Sequence, residues 1–266
     1  MLTLADRVAQ FTLWYHTLDL GEAGVTNGWF DLRPIVNTLP WPDVTGKRCL
    51  DVGTYDGFLA FELERRGAAE VVATDIPDHS EWDWLPRQRR DGIAYLNAIA
   101  GEKGGGFRLA KEALGSTVER ETISIYDLSP ERLGEFDVVV CGSLLLHLRD
   151  PFRGLDAIRG VCRSELMSCE QVDVGLSVRH PRRPVLTAFG DIGKWLIPNA
   201  QAHFKMLEIA GFDVIEKTRI YAIPFGTGHP ASPRRFTSML QEQGRAMASR
   251  GRGNPHVAAR CTVAQI

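Results

Sequence analysis

The sequence predicts an α/β protein with a doubly wound, mostly parallel sheet, preceded by an N-terminal aromatic cap segment. Two apolar runs, at 48–53 and 136–142, have the composition of buried parallel strands. A third β-rich run at 70–75 ends in an acid, and a helix is predicted between the first and third runs over 57–66. Strand, glycine turn, helix and strand make a βαβ unit, which implies a parallel sheet covered by helices. We expect the first two runs to be neighbours at the centre of that sheet.

The remaining elements are predicted from the hydrophobic pattern and from the positions of proline and glycine. Further strands are predicted at 121–125, 164–172 and 212–222, and helices at 108–114, 151–161 and 198–210. The last helix is expected to carry Pro198 in its first turn and to end before Gly211. The segment 77–106 is predicted to be irregular. Three parts result: a cap segment at 1–46, a catalytic domain at 47–226 and a basic tail at 227–266.

Composition excludes several classes of protein. Hydrophobic residues make up 44% of the 266 residues and charged residues 24%, which is the balance of an ordinary globular protein and not of a disordered one. The five cysteines include no C-x-x-C pair, so neither a disulfide scaffold nor structural zinc is expected. No apolar run reaches the ~18 residues of a membrane span, and the first residues do not resemble a secretory signal. The prediction is a cytoplasmic protein without a metal.

Charge is unevenly distributed along the chain. The formal net charge is −2, but the segment 227–266 holds six Arg, no Lys and one Glu, a balance of +5 against −7 for the rest. Such a segment is typical of a solvated, partly disordered tail. The alternative is a basic arm that meets an anionic substrate or RNA.

The loop after the first predicted strand carries the strongest chemical signal. Gly53 allows a tight turn and close approach of a ligand to the backbone, and Gly57 allows helix and strand to approach. The spacing is G-x-x-x-G, with Tyr55 where a dinucleotide site would have its middle glycine, which argues against a pyrophosphate. Asp51 and Asp56 disfavour an anion and suit an ammonium or sulfonium group.

The acid that ends the next strand completes this pattern. Asp75 lies eighteen residues beyond Gly57, where a carboxylate can accept hydrogen bonds from both hydroxyls of a ribose. On these residues the chain resembles the class I S-adenosylmethionine-dependent methyltransferases. The resemblance implies a Rossmann-like fold and S-adenosyl-L-methionine as donor, with S-adenosyl-L-homocysteine as product. The donor-binding residues that it implies are Asp51, Gly53, Tyr55, Gly57, Asp75, Ile76, Tyr126, Asp127 and Ser143. In that assignment Asp127 accepts a hydrogen bond from the adenine amino group and Tyr126 packs nearby.

A second resemblance concerns the segments Ser143–Pro151 and Trp195–Asn199, which are similar to stretches of the tRNA wobble-uridine carboxymethyltransferase family. That family uses carboxy-S-adenosylmethionine. Here Leu146 and Leu148 stand where a tyrosine and an arginine would hold the extra carboxylate, and 1–46 contains no lysine. An unpaired buried charge is costly, so we expect the ordinary donor.

Two histidines are candidates for removing a proton from the methyl acceptor. His147 follows the strand at 136–141, at the edge where open α/β sheets bind ligands, and it is the first candidate. His16 is the second, because the cap segment is expected to fold over the donor. Each could instead be structural. Trp29, Phe30, Trp82, Trp84 and Trp195 are either core residues or walls of an acceptor pocket.

Three functions remain open on the sequence. The first is O-methylation of a small-molecule hydroxyl, on a carbohydrate or secondary metabolite, with N-methylation not excluded. The second is a tRNA-modifying methyl- or carboxymethyltransferase, which the low net charge disfavours. The third is a non-catalytic protein that binds S-adenosylmethionine. No membrane partner is expected, and a homo-oligomer is left open.

Overall fold

A single mixed sheet forms the centre of the computed structural model, which describes residues 2–100, 102–188, 193–230 and 253–265. Its strands are β1 (Arg48–Val52), β2 (Glu70–Asp75), β3 (Glu119–Thr122), β4 (Phe136–Gly142), β5 (Cys162–Gln171), β8 (Phe212–Lys217), β9 (Tyr221–Ile223) and β10 (Asn254–Val263). The order is β3-β2-β1-β4-β5-β10-β8, with β9 also paired to β10. β1 to β5 run parallel, and β10 is antiparallel to its neighbours. The short strands β6 (Leu186–Ala188) and β7 (Leu196–Pro198) pair separately.

Helices cover both faces of the sheet. They are α1 (Leu4–Gln10), α2 (Phe58–Arg65), α3 (Arg89–Ile99), α4 (Gly105–Leu114), α5 (Pro130–Leu133), α6 (Pro151–Val161), α7 (Val174–Arg179) and α8 (Ala200–Ile209). Successive residues of one strand enter opposite cores: Cys49 and Val138 belong to one apolar cluster, Leu50 and Val139 to the other. This alternation confirms the predicted doubly wound α/β architecture.

The predicted centre of the sheet is confirmed. β1 pairs with β4 in the register Leu50 to Val139, and β2 lies on the other side of β1. The prediction for the start of α8 is wrong. Pro198 ends β7, and Asn199 is the N-terminal cap, whose side chain accepts a hydrogen bond from the Ala202 amide at 2.8 Å. An asparagine that satisfies an orphan helix amide is a stronger start signal than a proline.

Two segments were predicted to be irregular and contain regular structure. The segment 77–106 includes helix α3, whose sequence opens on three charged residues and whose N-terminus has no side-chain cap hydrogen bond. Within 227–266, Asn254–Val263 is strand β10, inserted between β5 and β8. The prediction of a solvated tail is therefore wrong for this strand, and most of the arginines behind that prediction lie outside the described residues.

The cap segment 1–46 is held onto the domain by its backbone. The Asp31 amide donates to Pro224 O at 2.9 Å, and the Gly226 amide donates to Trp29 O at 2.8 Å. The cap segment and the segment around Gly226 approach so closely that only glycine fits there, because a Cβ on Gly226 would lie 2.1 Å from Gly28 O. Among the described residues, no helix combines the length and the apolar character that a bilayer crossing requires.

Candidate active site

A cavity of about 1300 Å³ opens at the carboxyl ends of the parallel strands. It exceeds the ~300–1000 Å³ of a typical single-ligand pocket and so has room for a donor and an acceptor together. It brings together nine of the predicted site residues: His16, Asp51, Gly53, Tyr55, Asp75, Ile76, Tyr126, Ser143 and His147. The other two, Gly57 and Asp127, are not among its lining residues.

The loop after β1 has the backbone that a bound ligand would need. Gly53 has φ +79°, and a Cβ there would lie 2.9 Å from the Leu144 side chain. Tyr55 also adopts a left-handed conformation, with φ +52°, which is uncommon for a residue with a side chain. Gly57 serves packing instead, because a Cβ there would lie 2.3 Å from the ring of Phe61. Both glycines singled out in the sequence have a positive φ, but only Gly53 lines the cavity.

Asp75, at the end of β2, is already engaged by the protein. One of its carboxylate oxygens accepts from the Lys103 ammonium at 2.8 Å and from the Tyr55 amide at 3.1 Å. The other accepts from the Ile76 amide at 2.8 Å. The Lys103 side chain is only 3% exposed and lies 4.4 Å from the ring centre of Tyr55. Nothing in the local sequence around Lys103 marks it, and sequence reasoning missed it.

Asp51 is a buried acid of the cavity wall with an unsatisfied oxygen. It is 2% exposed, and its Oδ2 has no hydrogen-bond partner among the residues that the structure describes. Burial raises the pKa of Asp51 to about 6. A buried carboxylate oxygen without a donor fits a cationic ligand group, as its position before Gly53 predicts.

Asp56 has a different role from the one expected. Its Oδ2 accepts from the backbone amides of Tyr15 and His16, both at 2.8 Å, and its Oδ1 contacts the His16 Nδ1. Asp56 is buried and is not among the residues that line this cavity, so we assign it as a clamp for the cap segment. Because a carboxylate only accepts, Nδ1 of His16 donates to it, and in the neutral imidazole Nε2 is then an acceptor. The clamp thus places an oriented imidazole in the cavity wall.

His147 lies in the loop after β4, as predicted, and its side chain is partly buried. Its Nδ1 donates to Gly193 O at 2.7 Å, and its ring lies 5.5 Å from Trp82. Burial lowers the pKa of His147 to about 4. The side chain is therefore neutral near pH 7 but a weak base.

The predicted adenine segment is only partly at the cavity. Tyr126 lines it, but its hydroxyl donates to Asp83 at 2.5 Å and accepts from the Asp150 amide at 3.1 Å. Asp127 is exposed and does not reach the cavity, so the prediction that it holds the adenine amino group is not retained. Ser124 and Ile125 line this part of the wall instead.

Aromatic rings form much of the opposite wall. Tyr15 lies 5.0 Å from Tyr55 and 5.1 Å from Phe30, and Trp82 lies 5.3 Å from Trp84. Trp29, Phe30, Trp82 and Trp84 all line the cavity, whereas Trp195 lies behind it and donates to Asp83 O at 2.5 Å. Tyr95, Tyr221 and Phe225 were not singled out from the sequence and also line the cavity.

Solved structures that resemble this chain include S-adenosylmethionine-dependent methyltransferases. The chain matches a Burkholderia thailandensis 1,6-didemethyltoxoflavin-N1-methyltransferase bound to its acceptor and S-adenosylhomocysteine (TM-score 0.53, 14% identity, 88% of this chain and 78% of the other). It also matches a Listeria monocytogenes protein assigned to the S-adenosylmethionine-dependent methyltransferases (TM-score 0.51, 13% identity, 88% and 98%). The fold is thus the Rossmann-like fold of class I methyltransferases, as predicted.

Curated relatives are more specific in name but cover less of the chain. A ubiquinone biosynthesis O-methyltransferase of Neisseria meningitidis serogroup C is 35% identical over 109 residues, 41% of this chain and 37% of the relative. One of Acinetobacter baumannii (strain AYE) is 25% identical over 222 residues, 74% and 81%. The chain therefore spans only 37% of the length of the Neisseria relative. No protein-family model matches. These comparisons give no support to the tRNA wobble-uridine resemblance.

Proposed function

We propose that the protein is an S-adenosylmethionine-dependent methyltransferase that methylates a hydroxyl on a small, ring-shaped acceptor. The observation that carries the proposal is the grouping of three donor-binding features at one sheet edge. The first is the Asp51 carboxylate, whose Oδ2 has no hydrogen-bond partner among the described residues. The others are the backbone of Gly53, which carries no side chain, and the Asp75 carboxylate. The class I fold and the names of the curated relatives agree with it.

The residues fit the parts of the donor in order. Asp51 lines the cavity and has a buried oxygen without a hydrogen-bond donor among the described residues, which suits the ammonium of the methionine part. Asp75 already accepts three hydrogen bonds, and since an ionised carboxylate offers about four acceptor sites, its Oδ1 retains one for a ribose hydroxyl. Ile76 and Ile125 supply apolar contacts for adenine. Leu146 and Leu148 are buried apolar residues of the same wall, which favours the ordinary donor over a carboxylated one.

His16 is the better candidate for the catalytic base. S-adenosylmethionine supplies an electrophilic methyl group on a sulfonium. The protein must align the acceptor and take its proton. The Asp56 carboxylate fixes the His16 tautomer so that Nε2 can accept, which is the arrangement by which a carboxylate orients a catalytic imidazole. His147 has a lone pair at Nε2 as well, but its depressed pKa makes it a weaker base.

The acceptor class follows from the wall opposite the donor site. Tyr15, Trp29, Phe30, Trp82 and Tyr221 offer ring faces and edges, and aromatic ligands pack well on such surfaces. A phenol fits both the rings and the need for a base, because its hydroxyl must lose a proton during methyl transfer. Nucleic acid would need a broad basic face, and the overall charge of −2 argues against one.

Two measurements test the proposal. Calorimetry should show binding of S-adenosylmethionine and S-adenosylhomocysteine to the wild-type protein and weaker binding to Asp75→Ala. Mass spectrometry should then show transfer of an isotope-labelled methyl group from the donor to phenols in a defined panel or a cell extract. Failure of both nucleotides to bind would overturn the proposal. Binding without transfer to any acceptor would favour a non-catalytic donor-binding protein.

A further inference from the structure

Ser143 and His256 form a buried hydrogen-bond chain in the cavity wall, away from His16. Ser143 ends the turn after β4, and its hydroxyl lies 2.8 Å from His256 Nε2. The other ring nitrogen, Nδ1, lies 2.9 Å from the carbonyl oxygen of Asn254. All three residues line the cavity, and His256 is 3% exposed.

The direction of this chain is fixed by the carbonyl at its end. A carbonyl only accepts, so Nδ1 of His256 carries the proton. Burial lowers the pKa of His256 to about 4, so the ring is neutral near pH 7 and Nε2 has no proton. Nε2 must therefore accept, and the Ser143 hydroxyl must donate to it. The only hydrogen of that hydroxyl is used, and its oxygen has just lone pairs to offer a ligand.

The backbone holds this oxygen in place. Ser143 has φ +51°, an uncommon conformation for a serine, and its amide donates to Cys169 O on β5 at 2.8 Å. The His256 ring lies against Tyr221, with ring centres 6.1 Å apart and planes at 29°. A strained residue fixed on three sides and facing a cavity is typical of a functional position.

We assign this pair of side chains to the acceptor side of the cavity, whereas the sequence-based prediction placed Ser143 among the donor-binding residues. β10, which carries His256, is two strands from β4 and three from β1, whereas the donor features lie at the ends of β1 and β2. In the neutral form of His16 the Nε2 is an acceptor as well, because Nδ1 donates to Asp56. The acceptor side thus presents hydrogen-bond acceptors on both His16 and Ser143.

We propose that the Ser143 hydroxyl, polarised by His256, is a specificity site that accepts a hydrogen bond from a second hydroxyl of the methyl acceptor. The substrate class is then a phenol with at least two free hydroxyl groups: one meets His16 and is methylated, and the other donates to Ser143. A methoxy group at the second position has no hydrogen to donate and is rejected. This inference rests on the proposed function and narrows its acceptor.

The test is a binding comparison that needs no turnover. Calorimetry with S-adenosylhomocysteine present measures the affinity of catechol, resorcinol and hydroquinone and of the monomethyl ether of each. For at least one isomer the wild-type protein should prefer the dihydroxy form by about 5–100-fold, because a site built for a donor hydrogen rejects the ether. In Ser143→Ala that preference should fall to about twofold or less.

A second variant tests the direction of the hydrogen bond between Ser143 and His256. His256→Phe keeps a ring beside Tyr221 but removes the acceptor for the serine hydrogen. The Ser143 hydroxyl can then donate to an ether oxygen, so the affinity for the monomethyl ether should rise towards that of the dihydroxy form. The matched control is Ser164→Ala, which should keep the wild-type preference. Ser164 is an exposed serine near the start of β5, at the opposite edge of the sheet. Melting curves of each variant with S-adenosylhomocysteine check that the donor site is folded.

The outcomes separate the two proposals. Equal affinity of dihydroxy and ether forms in the wild-type protein, or a preference that survives Ser143→Ala, overturns the assignment of Ser143. Failure of every phenol to bind while S-adenosylhomocysteine binds also overturns it and leaves the donor site intact. Failure of S-adenosylhomocysteine itself to bind overturns the proposed function.

Discussion

The donor side and the acceptor side of the cavity are built in different ways. The donor features come from 51–55 and 74–76, at the ends of two adjacent parallel strands joined by one helix. The acceptor side combines the cap segment with loops after β4, β5 and β9 and with β10, which are separated by up to about 240 residues along the chain. A compact local motif can be found from sequence, whereas a site assembled from distant segments requires the fold. The predictions below test this contrast.

The largest effect is expected at the base on the acceptor side. His16→Ala should lower turnover by roughly 10²–10⁴-fold and leave donor affinity nearly unchanged, since the base acts on the acceptor and does not contact the donor features. Steady-state kinetics and calorimetry on the same preparation measure both. Equal losses of turnover and donor affinity would mean that His16 supports the donor side.

The next effect is on the donor side. Asp75→Ala should weaken S-adenosylhomocysteine binding by about 1–3 kcal/mol, because buried ribose hydroxyls would lose a charged acceptor. The same change leaves the Lys103 ammonium buried without its carboxylate, so the free energy of unfolding should also fall. Calorimetry and urea denaturation separate the two effects.

Asp127→Ala is the matched control for this prediction. Asp127 was predicted from sequence to bind the donor, but it lies exposed outside the cavity. Its removal should change donor affinity by about twofold at most. A loss comparable to that of Asp75→Ala would return Asp127 to the site.

A smaller effect concerns a buried acid beneath the acceptor side. Glu170 is 1% exposed and accepts from the amides of Gln171 and Leu146, and burial raises its pKa to about 8. The folded state therefore keeps the proton that the unfolded state loses, so this contribution to stability is present at low pH and is lost as pH rises from about 4.5 through 8.

Glu170→Gln removes this pH dependence. The variant should be more stable than the wild-type protein at pH 8, and the difference should grow by on the order of 1–3 kcal/mol between pH 5 and pH 8. Urea denaturation at both pH values measures it. A constant difference would show that Glu170 is ionised in the folded protein across this range.

The smallest effect is expected at the histidine that the sequence favoured first. His147→Ala should lower turnover by less than about tenfold and leave the pH–rate profile unchanged, because a group with a pKa of about 4 is neutral throughout the working range. A loss of ~10²-fold or more, with a changed pH profile, would make His147 the base and His16 a positioning residue.

The sequence correctly located the residues whose roles depend on neighbours along the chain. Asp51, Gly53, Tyr55 and Asp75 lie within one βαβ unit, and all four reach the cavity. The same local reasoning succeeded for α6, whose bounds Pro151–Val161 agree with the prediction. It failed where a local signal competes with a better-placed one, as at Pro198 and Asn199.

Sequence by itself therefore determined the fold class and predicted the residues that we assign to the donor side, because both follow from periodicity and glycine geometry over short distances. The tertiary structure decided the rest. Asp56 looked like a ligand group and became the clamp for His16, and β10, assigned to a tail, carries His256 to within 2.8 Å of Ser143. Residues 113 positions apart meet there, and their separation along the chain leaves no periodic signal of the contact. The role of a buried polar side chain depends on its hydrogen-bond partner, and the folded structure decides which partner lies within reach.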